Sequence, residues 1–293
     1  MTATIRWSGT VTAVSSIAHG GQQLGTTTLL RREKMLLADG RIDYVPVISG
    51  NTFRGWLRRV GEDLLREQLR YDGQLSLTAA HALRGGGALA KTSGQALAGQ
   101  RLATLRSLVP QIGVFGCAAG GSVVNGCLQV GKVVPLVTEV AHTVPVHLRN
   151  RCTHSHFDLL QVETFARQDD TDTHAFAGRH QALGNTPDDA LLVDDGGRQM
   201  FYGVETLPAG TEFHTWAQLT WASPLEVAFF TDVLHAFGSS GRLGGRIGSG
   251  HGVIRTDLTP QLLAGDDGSG PVDWRTHLRD NRDQAMEALT WLT

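Results

Sequence analysis

The sequence contains no apolar run close to the roughly 20 residues that a membrane-spanning helix needs, so we do not expect a membrane protein. It has only three cysteines, Cys117, Cys127 and Cys152, which cannot all pair, and its first ten residues lack a signal-peptide core. Both absences predict a protein of the reducing cytoplasm. Charged residues make up 18% of the chain and hydrophobic residues 41%, a balance typical of globular proteins.

An overall basic charge, which general nucleic-acid-binding proteins usually carry, is also missing: the formal net charge is -2. Lysine is scarce, at 3 of the 26 basic residues. The positive charge is nevertheless concentrated, because residues 1–110 hold 14 Lys or Arg against 7 Asp or Glu. Arginine presents a planar fork to phosphate, so a local anion-binding surface is compatible with the near-neutral total.

Glycine is abundant, and six of the 36 glycines fall within residues 241–252, which we call the glycine loop (GRLGGRIGSGHG). A backbone without side chains lets N–H groups approach a polyanion closely, and Arg242 and Arg246 add fixed charge. The loop precedes a predicted strand and opens no helix, so it is not a dinucleotide fingerprint. On its own, it could equally be a turn that lets two core elements pack.

A second segment suited to anions lies far upstream, where Ser49 or Asn51 can cap a helix. From Phe53 onward, apolar residues recur at three-four spacing, which predicts an amphipathic helix out to Leu69. Arginines at positions 54 and 58 lie one turn apart near the positive end of its dipole. They are either a solvated helix face or phosphate contacts, and if the fold joins this segment to the glycine loop, the two form one nucleic-acid track.

The remaining core elements follow the order strand, helix, strands, strand, helix, strand, which is the split β-α-β arrangement with large insertions. The pattern predicts a first strand at Ile5–Ile17, a hairpin turn at Asp39–Gly40 and a short buried strand at Ile112–Phe115. It further predicts an amphipathic strand at Glu212–Trp221, a helix at Pro224–Gly238 and a closing strand at Gly252–Leu258.

The segments PVISGNTFRGWLRR and GGRIGSGHGVI resemble the RAMP superfamily of CRISPR-associated proteins, in particular its group-seven backbone subunits. Two shorter segments, VFG at 114–116 and LPAGTEF at 207–213, are also similar to that family. The resemblance implies an α+β fold: a ferredoxin-like (RRM-like) palm with an antiparallel sheet, an inserted helical lid and a β-hairpin thumb. On this basis residues 1–72 form the first half of the palm, 73–110 the lid and 111–140 further palm strands. Residues 141–203 form the thumb-like insertion, and 204–293 form the second half of the palm with the glycine loop.

The resemblance further implies a non-catalytic subunit that binds guide RNA (crRNA), stacks head to tail with copies of itself, joins other CRISPR effector subunits and meets target nucleic acid through guide pairing. No cofactor and no membrane contact are expected. The residues that would line the RNA path are Ser49, Gly50, Asn51, Arg54, Arg58, Arg242, Gly245, Arg246 and Ser249. Phe165 and Phe176, which fall in the insertion, are candidates for base stacking.

Three alternatives stay open at this stage. His251, inside the glycine loop, could serve as general base of an endoribonuclease that processes guide precursor, but the sequence places no partner acid or second histidine for it. The acidic residue that relatives of the RNA-cleaving branch carry upstream of the first helix is absent from 25–30, so the resemblance favours a DNA-targeting or otherwise non-cleaving effector, such as one of the type IV kind. The alternating Cys152, His154 and His156, with His142 or His147, could bind zinc, but polar surface histidines are the favoured interpretation and no metal is predicted. A small-ligand domain with a phosphate loop is the third possibility.

Overall fold

The computed structural model describes residues 2–87, 97–119, 121–167, 200–266 and 272–292. Its main sheet is antiparallel and five-stranded, with the order β13-β1-β12-β8 and β9 paired to β12. The strands are β1 (Ala3–Ala13), β8 (Leu128–Val130), β9 (Val134–Pro135), β12 (Glu212–Ala222) and β13 (Ile254–Gly265). The mixed α+β composition with antiparallel sheets agrees with the predicted fold class.

Strand β1 is the centre of this sheet and pairs along its length with β12 on one side and β13 on the other. Trp7 lies opposite Ala217 and Pro260, and its indole packs edge-on against Phe230 at 5.2 Å between ring centroids. Alternate β1 side chains such as Val11 are fully buried, as expected for a strand with one covered face.

Two long helices, α1 (Gly50–Leu69) and α5 (Pro224–Ser240), cover that buried face. Ser49 caps α1 by accepting a hydrogen bond from the Thr52 amide at 3.2 Å. Helix α5 begins with a capping box and ends at Gly241 in the left-handed conformation. Phe53 of α1 contacts Phe237 of α5, with ring centroids 5.7 Å apart. The core therefore lies between the sheet and this helix pair.

Shorter helices complete the helical layer: α2 (Leu77–Arg84), α3 (Gly99–Leu108), α4 (Pro110–Phe115), α6 (Trp274–Asp280) and α7 (Arg282–Leu289). The prediction of a strand at Ile112–Phe115 is wrong, because these residues form α4 with Pro110 in its first turn. Every residue of α4 is buried, and a helix covered on all sides lacks the amphipathic stripe that distinguishes it from a buried strand.

A second, four-stranded sheet has the order β10-β11-β3-β2. Its strands are β2 (Gly20–Leu24), β3 (Thr27–Leu30), β10 (Gln161–Arg167) and β11 (Met200–Thr206). Strands β10 and β11 pair with each other in antiparallel orientation. Residues 168–199, the part of the insertion between these two strands, lie outside the described residues, and Phe176 is among them. Strand β11 in turn pairs in parallel with β3.

Two hairpins stand apart from these sheets: β4 (Arg32–Leu36) with β5 (Ile42–Pro46), and β6 (Cys117–Ala119) with β7 (Ser122–Val124). The first confirms the turn predicted at Asp39–Gly40, where Gly40 adopts φ 84°. The predicted first strand is too long, because β1 ends at Ala13 and Gly20 opens β2. No helix in the described ranges is long and apolar enough to cross a membrane.

Candidate nucleic-acid interface

The glycine loop and the start of α1 lie side by side, joined by two consecutive residues of the β1–β2 connection. The Gly245 amide donates to the Ala18 carbonyl at 2.7 Å, and the Ser49 amide donates to His19 Nε2 at 3.3 Å. Burial is the main reason that the pKa of His19 is lowered, and nearby Arg31 adds to the effect. His19 is therefore neutral near pH 7 and can accept the Ser49 hydrogen bond.

The first turn of α1 presents an exposed polar side chain and a positive helix end. The Ser49 hydroxyl is committed to Thr52, whereas Asn51 is exposed. A Cβ at Gly50 would lie 3.3 Å from the Gly131 carbonyl oxygen, so glycine lets the helix start pack closely beside β8. The macrodipole of α1 favours an anion at this end.

Arg54 and Arg58 do not extend this surface. The Arg58 side chain donates to the Gly116 and Phe115 carbonyls, both at 2.7 Å, and the residue is only 8% exposed. Arg54 donates to Phe115 at 2.9 Å and to the Leu128 carbonyl. Burial lowers the pKa of Arg58 to about 10, with Arg54 contributing. The expected RNA contact of Arg58 needs correction, because its donors already satisfy carbonyls at the end of α4.

The glycine loop holds Arg246 in a conformation that is unusual for a residue with a side chain. Its φ is 54°, and such left-handed backbone costs of the order of 1–3 kcal/mol outside glycine. The guanidinium lies over the Tyr202 ring at 5.4 Å and donates to the Thr28 hydroxyl at 3.2 Å. Arg246 is exposed, so strained backbone here displays a cation beside an aromatic ring.

The other predicted loop residues differ in what they offer. Arg242 is half-buried, and its guanidinium has no hydrogen bond or ion pair to any residue of the described ranges. Ser249 is exposed. A Cβ built on Gly245 would meet nothing closer than the Ala18 carbonyl oxygen at 3.7 Å, so its surface side is open. The loop therefore combines uncommitted charge with accessible backbone.

Phe165 is part of an aromatic stack at the base of the insertion. Its ring is stacked on Tyr202 at 5.4 Å with an interplanar angle of 18°, and its edge contacts His251 at 5.7 Å. Phe165 is half-buried in β10. No local sequence signal marks Tyr202 and Thr28 as site residues, because their contacts with Arg246 depend on the pairing of β11 with β3 and with β10.

This protein has a relative of known structure. A solved structure described as "Type IV-B CRISPR Complex" contains a chain that is 34% identical to this one, with a TM-score of 0.61. The match covers 93% of this chain and 98% of that chain. This chain belongs to the family of that subunit. No protein-family model and no curated protein sequence matches this CRISPR-associated protein.

His251 of this CRISPR-associated protein is buried, at 1% exposure, although the three preceding residues of the loop are exposed. Its Nδ1 lies 2.9 Å from the Ser16 hydroxyl and 3.8 Å from a Glu163 oxygen. Burial acts to raise the pKa of Glu163, but hydrogen bonds from Ser16 and Thr206 and the nearby His251 outweigh it, so the pKa is lowered. Through these contacts His251, Ser16 and Glu163 connect the glycine loop to β10.

The zinc set considered from the sequence does not assemble. Cys152 is buried with its thiol directed to the Leu148 carbonyl, while His154 is exposed. Within the described residues, the one group of His, Cys, Asp or Glu close enough to share a cation is Asp43, Glu139 and His156. Only His156 belongs both to this group and to the set considered from the sequence. No spacing in the sequence indicated Asp43 or Glu139.

Proposed function

We propose that this protein is a guide-RNA-binding backbone subunit of a multi-subunit CRISPR effector complex, of the RAMP group-seven type. Family membership with a Type IV-B CRISPR complex subunit supports the effector role. The core elements β1, α1, β8, β12, α5 and β13 follow the order β-α-β-β-α-β, which supports a ferredoxin-like palm. The paired strands β10 and β11 suit the base of a thumb.

The observation that carries the proposal is the junction at Ala18–His19. It aligns the positive end of α1 with the glycine loop, although Ser49 and Gly245 are almost 200 residues apart in sequence. Along this surface lie the exposed Asn51, Arg246 and Ser249. Backbone amides and arginines bind phosphate and sugar without reading sequence, which leaves the bases free to pair with a target.

The aromatic stack beside the loop suits single-stranded RNA. Arg246 over Tyr202, with Tyr202 on Phe165, makes a stack of one cation and two rings. Phe201, next in the strand, is 54% exposed. Bases stack on such surfaces with little sequence preference. Phe165 thus acts by supporting Tyr202, while Tyr202 and Arg246 meet the RNA.

A binding role is favoured over guide-precursor cleavage. A general base must reach within hydrogen-bond distance of the substrate hydroxyl, yet His251 is 1% exposed and holds Ser16. Its contacts with Ser16, Glu163 and Phe165 give it a structural role at the loop. We therefore propose a non-catalytic subunit that repeats along one guide RNA, with other effector subunits at its ends.

Filter binding with labelled guide RNA tests the proposal. Wild-type protein should bind a spacer-scrambled RNA as tightly as the original, and the affinity should fall steeply with salt. Replacing both Arg242 and Arg246 by alanine should reduce affinity and reduce the log-log salt slope by about 1.4, since each phosphate contact contributes about 0.7 for single strands. Arg279→Ala is the matched control, because Arg279 lies near Arg70, at the far end of α1.

Equal loss of affinity in Arg279→Ala and the loop variant would overturn the assignment of this surface. Strong discrimination against the scrambled RNA would overturn sequence-independent binding. Cleavage of labelled precursor by the purified protein, without added metal, would favour the endoribonuclease. Gel filtration with and without guide RNA tests assembly, where RNA of increasing length should give stepwise larger particles.

A further inference from the structure

We propose that Asp43, Glu139 and His156 bind a divalent first-row transition-metal cation beside the β4–β5 hairpin. One ligand atom from each lies within 4.8 Å of the others. Asp43 belongs to β5, Glu139 to the 3-10 turn Thr138–Val140, and His156 opens the 3-10 turn His156–Leu159. Three separate segments of the chain therefore converge on one point.

The spacing of the donor atoms suits a small cation. Bonds of about 2.1 Å in a tetrahedral site place neighbouring ligand atoms about 3.4 Å apart. His156 Nε2 lies 3.2 Å from Asp43 Oδ2, so one edge of such a site already has this length.

Burial makes the His156 side chain part of a site closed to solvent. The residue is 1% exposed, and its Nε2 faces the Asp43 carboxylate, whereas Nδ1, on the other side of the ring, has no hydrogen-bond partner among the described residues. Nε2 is therefore the nitrogen available to the cation. A bound cation neutralises the negative charge of the two carboxylates beside this buried ring.

Hydrogen bonds around the cluster orient both carboxylates, as outer contacts do in metal sites. The Tyr44 amide donates to Asp43 Oδ1 at 2.7 Å, and the His156 amide donates to Glu139 Oε2 at 3.1 Å. The Ser155 hydroxyl donates a further hydrogen bond to Glu139 Oε1. These contacts hold both carboxylates in place beside His156.

The donor set defines the cation class. One imidazole and two carboxylates suit Zn²⁺, Co²⁺ or Mn²⁺, and the absence of sulfur from the set disfavours Cu⁺. Three protein ligands leave a position for water. Bound metal would fasten the β4–β5 hairpin to the turns that lead into β10, and so would brace the base of the insertion.

Calorimetric titration of the chelator-treated full chain with Zn²⁺ tests the site. We expect one equivalent to bind, with Asp43→Asn and Glu139→Gln each weakening affinity by about tenfold or more. His154→Ala, which changes an exposed histidine two residues from His156, should bind like wild type. Circular dichroism establishes that each variant is folded.

Substitution with Co²⁺ gives a readout that needs no variant. The nitrogen and oxygen set predicts weak visible bands and no near-ultraviolet sulfur-to-cobalt charge transfer. A strong charge-transfer band would assign the metal to a cysteine and overturn the proposal. Absence of Zn²⁺ binding to wild type, or undiminished binding in Asp43→Asn and Glu139→Gln, would overturn it equally.

Discussion

The indole Nε1 of Trp56 lies 3.2 Å from the carbonyl oxygen of Gly244 and donates a hydrogen bond to it. Trp56 is on α1, nearly two turns after the helix start at Gly50, and Gly244 is in the glycine loop. This single donor therefore fixes the loop against the helix at the point where the proposed RNA surface changes from one segment to the other.

Trp56→Phe removes this donor and keeps an aromatic ring. We expect the free energy of unfolding to fall by about 1 kcal/mol, the usual net value of one hydrogen bond, and RNA affinity to fall several-fold because the loop loses its fixed position. Urea unfolding and filter binding measure the two effects. Unchanged values in both assays would show that the hydrogen bond does not position the loop.

Gly244→Ala and Gly245→Ala form a matched pair that separates packing from binding. A Cβ at Gly244 would lie 2.6 Å from the Ala18 carbonyl oxygen, and φ there is 84°, so we expect a loss of about 1–3 kcal/mol in stability. A Cβ at Gly245 has room, so stability should change by less than about 0.5 kcal/mol while RNA affinity falls.

Thermal or urea unfolding of both alanine variants, followed by filter binding, checks this pair. If Gly245→Ala binds guide RNA as well as wild type does, the open side of Gly245 does not face the RNA. If Gly244→Ala is as stable as wild type, the backbone of the loop can adjust to a side chain.

Arg58→Met should destabilise the fold by about 2 kcal/mol, because it leaves the Gly116 carbonyl without its charged donor and the Phe115 carbonyl with Arg54 alone. Arg59→Met is the control: Arg59 is exposed on the same turn, and its loss should change stability by about 0.5 kcal/mol or less. Urea unfolding compares them. A large loss of RNA affinity in folded Arg58→Met would restore Arg58 to the interface.

Stability should fall on acidification in a manner that depends on His19. Its pKa is lowered from 6.5 in the folded chain, so below pH 6.5 the unfolded chain binds the proton more readily than the folded one does. This contribution to stability is complete above pH 6.5 and is lost as the pH falls through the folded pKa. Protonation also removes the acceptor for the Ser49 amide.

Urea unfolding at pH 7.5 and 5.5 measures this dependence, with His19→Asn as the comparison. The wild type should lose more stability between the two pH values than the variant does, because asparagine does not titrate. An equal loss would assign the pH dependence to other groups, such as His214, whose pKa is also lowered, chiefly by burial.

Helices with a cap residue and an apolar periodicity in their sequence could be predicted from these local signals. The cap candidates Ser49 and Asn51 and the three-four spacing from Phe53 predicted α1, and Pro224 before an apolar run marked the start of α5. Helix α4 was missed because all its residues are buried and no periodic stripe remains. The meeting of the glycine loop with α1 was expected only through the family resemblance, since neither segment indicates its neighbour.

The site was harder to predict than the fold because charge spacing does not reveal which side of a helix is covered. Arg54 and Arg58 have the spacing of a solvated face, yet the carbonyls at the end of α4 lie against that face. Tyr202 was missed because its contact with Arg246 requires both the β11 pairing and a left-handed residue in the loop. Such contacts arise only from tertiary structure.

The paired contacts of Ala18 and His19 place a length requirement on the link between β1 and β2. In extended chain, one inserted residue shifts the following positions by about 3.3 Å and turns each side chain to the opposite face. After such an insertion, the Gly245 amide could keep its hydrogen bond to Ala18 only if the Ser49 amide lost its hydrogen bond to His19. The segment should therefore tolerate substitutions at its exposed positions far better than insertions or deletions.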